Sequence, residues 1–361
     1  MISGNRLLSL DAFRGLTIAL MVLVNTPGDG KHVYGPLQHA EWNGWTITDC
    51  VFPGFVWIVG VALTLVLGRK IEAGASKAAM VKDILRRAAI LFGLGLLIYA
   101  FPTFPLDTFR ILGVLQRIAI CYAVTAIVFL YSGPRGQAIW IVGLMASYWL
   151  IMTRMAAPGF GAGDLSVEGN FAHYIDRLVL GAHNYRNTKT WDPEGVISTL
   201  PAIATCLLGV LAGHVVAMKE SIEKRAIWLI GTGAAMLCAG MMLDAAMPIN
   251  KKLWSDSFVL LMAGLDSLVF GLLFWMIDGK GWKEPFKPAL IMGMNAIAIY
   301  LSSEFLDIIL DRTGMKERIY ETVFVPLASP INASLLFALA YVGIHFLLAY
   351  VLYRNKLFLR I

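Results

Sequence analysis

The 361-residue chain is 58% hydrophobic, only 15% charged, and has a mean hydropathy of +0.69 with a formal charge of +6. That is too apolar for a water-soluble domain, and no basic stretch interleaves with stacking aromatics outside the apolar runs, which argues against nucleic-acid binding. Cys50, Cys121, Cys206 and Cys238 lie in or beside apolar runs and form no CxxC pair, so neither a disulfide framework nor a zinc site is indicated.

About ten apolar segments are long enough to cross a bilayer. They cover 7–25, 46–67, 84–101, 111–131, 137–153, 196–218, 225–244, 257–277, 286–305 and 333–353. The expected fold is all-α, a polytopic integral membrane protein with residues 1–361 forming a single membrane domain. No internal repeat stands out. No small-residue cleavage site follows the first run, which is therefore expected to stay as a helix.

Lysine and arginine are denser in one set of loops, which orients the chain. With the N-terminus inside, the inner segments hold Arg6, the basic cluster from Arg69 to Arg87, Lys280, Lys283 and Lys287, and Arg354, Lys356 and Arg360. Both termini are then cytoplasmic, and the long loops 26–45, 154–195 and 307–332 face outward. Asp192-Pro193-Glu194-Gly195 reads as the cap and first turn of the sixth span. Pro53 fits the first turn of the second span, or kinks it.

Ionisable groups inside a bilayer are costly and mark candidate sites. Asp11, Arg14, Arg117 and Asp266 fall within spans, with Gln116 and Asn295 as neutral company. Asp11 and Arg14 are three residues apart and share a helix face. Asn25 lies roughly three turns further on the same face, so the three form a polar stripe along the first helix. Such a stripe belongs against protein or an aqueous passage rather than lipid. Asp49 opens the second span from the side on which Arg117 enters the fourth, and the two are placed to pair.

Of the six histidines, His214 and His345 sit in apolar helices, and His32, His173 and His183 sit in outer loops without an obvious partner. His39 has Glu41 beside it and Asp49 ten residues on. A carboxylate that accepts one imidazole N–H fixes the tautomer and raises the basicity of the other nitrogen, as a general base requires. No Gly-x-Ser-x-Gly elbow and no second histidine at helical spacing accompany it, so neither a serine hydrolase nor a metal site is indicated.

The stretches "RLLSLDAFRGLTIALMVLVN" and "HAEWNGWTITDCVFPGFVWIVG", with "GVLQRIAICY", "WDPEGVISTLPAIATCLLGVLAG" and "GMNAIAIY", resemble the heparan-alpha-glucosaminide N-acetyltransferase family and its bacterial relatives. The resemblance runs from the first span to the ninth. It implies a membrane-embedded acetyltransferase that takes acetyl-CoA from the cytosol and acetylates the amine of a glucosamine-type sugar across the membrane. By position it implies His39 as the essential histidine, Asn25 as the active-site asparagine and Asp49 as the acidic partner. It also implies a homodimer, and for a bacterial protein the inner membrane.

Arg14, Asp11, Arg117 and Asn295 are expected beside the acetyl-CoA, with no metal. Against the animal enzyme, the Thr26–Gln38 segment looks longer, and a large luminal domain ahead of the membrane core appears absent. An O-acyltransferase acting on a surface polysaccharide and a secondary transporter stay open as alternatives, the latter calling for inverted repeats and broken helices. Trp42 and Trp45 are read as interfacial anchors or as lining for the acceptor pocket.

Overall fold

A computed structural model describes residues 7–359, so Arg6 and Arg360, counted above among the inner basic residues, lie outside the described residues. Among the described residues, thirteen α-helices follow one another. They are α1 (Leu8–Asn25), α2 (Val51–Glu72), α3 (Lys77–Ala100), α4 (Val114–Tyr131), α5 (Pro134–Arg154), α6 (Phe171–Leu180) and α7 (Thr199–Ala217). Then come α8 (Ile222–Leu243), α9 (Asp256–Leu273), α10 (Lys287–Met294), α11 (Ala296–Arg312), α12 (Met315–Ile319) and α13 (Pro330–Arg354).

Among the described residues, eight helices are long and apolar enough to span a membrane, and a bent pair makes up to nine. The expected third segment lies in α3, a 24-residue helix whose first half carries Lys77, Lys82, Asp83, Arg86 and Arg87. It is long enough to cross, yet too charged there to resemble the others. The expected ninth span is broken at Asn295, where α10 and α11 meet at 67°. The Asn295 amide donates to the Leu357 carbonyl at 3.1 Å and accepts from the Leu359 amide at 3.1 Å. The break thus binds the C-terminal tail, and backbone groups freed in an apolar setting find partners.

Helices α2, α7 and α9 are the most enclosed, while α5, α8 and α13 turn most of their surface outward. In lipid, no hydrophobic drive separates helix from solvent, so contact rests on close approach and small residues. At the α2–α7 crossing a methyl on Gly60 would stand 2.0 Å from the Cys206 carbonyl oxygen, and one on Gly209 would stand 2.1 Å from that of Trp57. Only glycine permits this approach. Trp57, Phe13 and Phe270 interlock beside it, with ring centroids 5.5–6.1 Å apart.

The two ends of the bundle are built differently. At one end, Asp278 accepts the backbone amides of Leu8 and Ser9 at 3.2 and 3.0 Å, filling donors that the first turn of α1 leaves unpaired. At the other end, the 26–50 loop meets the 244–255 loop. There Gly44 donates to the Ile249 carbonyl at 2.7 Å and forms an isolated parallel bridge with Asn250. Pro53 is the third residue of α2, within its first turn.

The Asp192–Gly195 stretch does not cap the sixth apolar span, contrary to the sequence expectation. It is a turn, and α7 starts at Thr199 with Ser198 as its cap residue. The acidic side chains face another partner, described next.

Candidate active site

His39 and Asp49 come together. Thr46-Ile47-Thr48-Asp49 forms a capping box over a short 3-10 turn that leads into α2. The box fixes the Asp49 carboxylate, which is 1% exposed. Its Oδ2 accepts the backbone amides of Ala40 and Thr46, each at 3.0 Å. Its Oδ1 lies 2.7 Å from His39 Nδ1. A carboxylate is an acceptor, so Nδ1 carries the proton and donates it, leaving Nε2 with a lone pair. The His39 side chain is 51% exposed. A buried carboxylate thus orients a ring that stays open to a reactant.

A third group joins them that the sequence reading did not single out. Lys251 Nζ lies 3.6 Å from Asp49 Oδ1 and 3.1 Å from His39 Nδ1. Since Nδ1 donates, the ammonium is held by the carboxylate rather than by the ring. Asn250 builds the approach. Its side chain accepts from the Leu253 amide at 2.9 Å and donates to the Asn43 side-chain Oδ1 at 3.2 Å, and Ser255 Oγ accepts its backbone amide at 3.0 Å. Burial draws the Lys251 ammonium below the usual lysine range, while Asp49 and Glu194 pull the other way. A signal was present in the sequence. Lys251, Lys252 and Arg110 are basic residues in loops that the sequence reading expects on the side poorer in lysine and arginine.

Arg110 is the centre of a second cluster at the same end. It donates to Asp192 through Nε at 2.7 Å and through Nη2, and to Glu194 through Nη2. The rings of Tyr185 and Tyr99 lie 4.4 and 5.1 Å from its guanidinium. Burial raises a carboxyl, and at Glu194 this is outweighed by Arg110 and Arg117, which hold it below the ordinary range.

Arg117 does not pair with Asp49. It is 1% exposed, donates to the Gly195 carbonyl at 3.1 Å and to Ser198 Oγ, and stacks over Trp254 at 5.1 Å. The turn starting at Asp192 has taken it as a ligand, since Gly195 leaves its carbonyl aimed at the helix.

The other expected residues separate along the bundle. Asn25, the last residue of α1, is exposed and lies beside the half-buried Glu304 of α11, another group the sequence reading missed. Asp11 and Arg14 pair at 3.2 Å near the opposite end, and the Arg14 side chain is 27% exposed. Asn295 holds the C-terminal tail, as above. Asp266 is buried in α9, its carboxyl facing Gly54 of α2.

The remaining histidines have local duties. His173 is buried on α6, stacks on Trp191 at 4.1 Å, and donates through Nδ1 to the Val167 carbonyl at 2.8 Å. His32 pairs with Asp29 at 2.6 Å, and His214 meets Gln137 Oε1 at 2.9 Å. Trp42 packs edge-on against His173 and Trp191, and its indole N–H donates to the Leu165 carbonyl at 3.1 Å. It is a loop anchor. Trp45 is exposed. Among the described residues, no group of three or more His, Cys, Asp or Glu side chains is placed to hold a metal ion.

A family model described as "Heparan-alpha-glucosaminide N-acetyltransferase, catalytic" matches residues 6–241, which include the paired residues His39 and Asp49. The heparan-alpha-glucosaminide N-acetyltransferase of Mus musculus is 30% identical over 421 aligned positions, covering 99% of this chain and 61% of the relative. That of Homo sapiens is 28% identical over 418 positions, covering 99% and 60%. The chain therefore spans about three fifths of the length of these curated relatives. With the membrane helices and the matched segment in hand, this chain belongs to the heparan-alpha-glucosaminide N-acetyltransferase family.

Proposed function

We propose that the protein is a membrane acetyltransferase that moves the acetyl group of acetyl-CoA to the amine of a glucosamine-type sugar. The observation that carries this reading is the His39–Asp49 pair, a half-exposed imidazole on a buried, fully hydrogen-bonded carboxylate at the mouth of α2. The acceptor nitrogen attacks the thioester carbon. The C–N bond forms, and the electron pair of the C–S bond leaves with sulfur. His39 Nε2 takes the proton from the nitrogen and returns it to the leaving thiolate, giving free CoA and the acetamide. Asn25 donates an amide hydrogen bond to the thioester oxygen as charge develops there.

Acetyl-CoA enters from the end where α1 begins, which this reading places in the cytosol. Asp11 and Arg14 stand at that end, and Arg14 still reaches solvent to meet the nucleotide phosphates. Arg117 and Asn295 have their bonds directed at the Gly195 turn and the C-terminal tail, and are given no direct part in binding. Both termini lie in the cytosol of a bacterial inner membrane, and the working unit is a homodimer.

The test uses purified protein, acetyl-CoA labelled in the acetyl group, and a panel of amino sugars and neutral glycans, with products read by mass spectrometry. Acetylated glucosamine from the wild type and none above background from His39→Ala is expected. Transfer by His39→Ala near the wild-type rate sinks the base assignment. Label on hydroxyls of neutral glycans alone sinks the N-acetyl reading, and intact acetyl-CoA with every acceptor sinks the enzyme.

A further inference from the structure

We propose that Lys251 is a positioning residue of the transfer site, its ammonium holding the Asp49 carboxylate against His39 so that the ring keeps Nε2 toward the acceptor. This rests on the acetyltransferase reading above. The geometry is specific. Asp49 Oδ1 is shared between His39 Nδ1 at 2.7 Å and Lys251 Nζ at 3.6 Å, while Oδ2 is already taken by two backbone amides. The carboxylate cannot turn away from the ring without giving up those amides. The lysine side chain is 17% exposed, and its backbone is set by the Asn250 bonds and the Gly44 bridge, so it does not sweep through solvent.

The charges around it make a consistent set. His39 faces it from the loop before α2, and Asp49 and Cys50 from the mouth of α2. Glu194 faces it from the turn before α7, and Lys252, which donates to the Glu41 carbonyl, from its own loop. The ammonium on Oδ1 and the two amides on Oδ2 hold the Asp49 carboxylate from both sides, so it keeps Nδ1 as its donor and leaves Nε2 facing the acceptor. Burial, which weakens the hold of Lys251 on its proton, gives the arrangement an upper pH limit.

The experiment compares wild type, Lys251→Arg and Lys251→Met as full-length protein in proteoliposomes. Acetyl transfer to glucosamine is followed against pH. In parallel, modification of His39 by diethylpyrocarbonate, which requires a neutral imidazole, is read by peptide mass spectrometry. Lys251→Met should lower kcat about tenfold or more with the KM for acetyl-CoA little changed, since the residue acts on the pair rather than on CoA. It should also slow modification of His39, because the ring is then no longer held with Nε2 toward the reagent.

Lys251→Arg should recover most of kcat and move the high-pH limb upward, because a guanidinium keeps its proton. Wild-type kcat and an unchanged His39 modification rate in Lys251→Met overturn the proposal. So does a high-pH limb left in place by Lys251→Arg, a readout that survives if Lys251→Met fails to fold. A wild type that transfers no acetyl group, with His39 modification still slowed in Lys251→Met, overturns the acetyltransferase reading and leaves the positioning intact.

Discussion

His39 Nδ1 lies 2.7 Å from Asp49 Oδ1 across ten residues of chain that loop out of the membrane and return as α2. The bond fixes the tautomer, so its two halves are expected to fail differently. His39→Ala removes the base and should lower kcat by about 10²–10⁴-fold, the usual range for such a group. Asp49→Asn keeps the shape, but its amide can donate to Nδ1 and select the wrong tautomer, and a loss of about 10²-fold or more is expected. Steady-state acetyl transfer with both substrates varied checks each, and KM for acetyl-CoA should stay within a few-fold.

Arg110 should be a stability residue. Its guanidinium is 10% exposed and grips Asp192 and Glu194, which are themselves nearly sealed from solvent. Arg110→Met leaves two buried carboxyls without their cation, a kind of break that costs about 3–5 kcal/mol. Thermal unfolding in detergent should show a fall of several degrees. Asp192→Asn with Glu194→Gln on the Arg110→Met background should recover part of it, since no charge is then stranded. Lys in place of Arg110 should behave poorly, because an ammonium cannot fork between the two acids.

Gly60→Ala and Gly209→Ala should each disturb the α2–α7 crossing, where the added methyl meets a backbone carbonyl. Overpacking of this kind costs about 1–3 kcal/mol when the backbone can shift. Because α2 starts directly after Asp49, the shift should also reach the site. A lowered melting temperature together with reduced acetyl transfer is the expected pair of results, against an unaffected Gly68→Ala control, where a methyl meets open space.

His173 gives a pH signature. Burial pushes its imidazole down to about 3 from an ordinary 6.5, although its bond to the Val167 carbonyl favours the charged form. The unfolded chain therefore binds a proton between those values that the folded protein refuses. The stability associated with the neutral ring is present above about pH 6.5 and is lost as pH falls toward 3. His173→Phe keeps a stacking ring without the titration. The melting temperature of the wild type should therefore fall faster than that of the variant as the buffer goes from pH 7 to pH 4.

The membrane spans and the His39–Asp49 pair were legible because each rests on a local pattern. The spans are runs of apolar residues, and the pair is a histidine and an acid joined by a short loop. The Thr46-x-x-Asp49 capping box was equally local and was overlooked beneath the tryptophans. Lys251 and Arg110 stood out only as basic residues in unexpected loops; their partners were not legible, because these lie about 200 and 80 residues away in sequence, and nothing in a single chain states which loops meet. The Asp192 turn misled for a related reason. Its acids suit a helix start, but two of them facing one buried arginine is the stronger interaction. The break at Asn295 was hidden because the apolar run continues through it on both sides. α6 is too short and too polar at its edges to stand out beside the spans.

Asp278 completes the first turn of α1 from 270 positions further along the chain. α1 is synthesised well before Asp278, and its opening amides wait for the intervening 270 positions to be made. Until α9 has been threaded through the bilayer, that end of α1 must be satisfied by water at the membrane surface. Assembly therefore closes from a later-made segment back onto an earlier one. A chain truncated before Asp278 should leave α1 inserted but unlocked, and exposed to membrane proteases at the very end that this reading assigns to incoming acetyl-CoA.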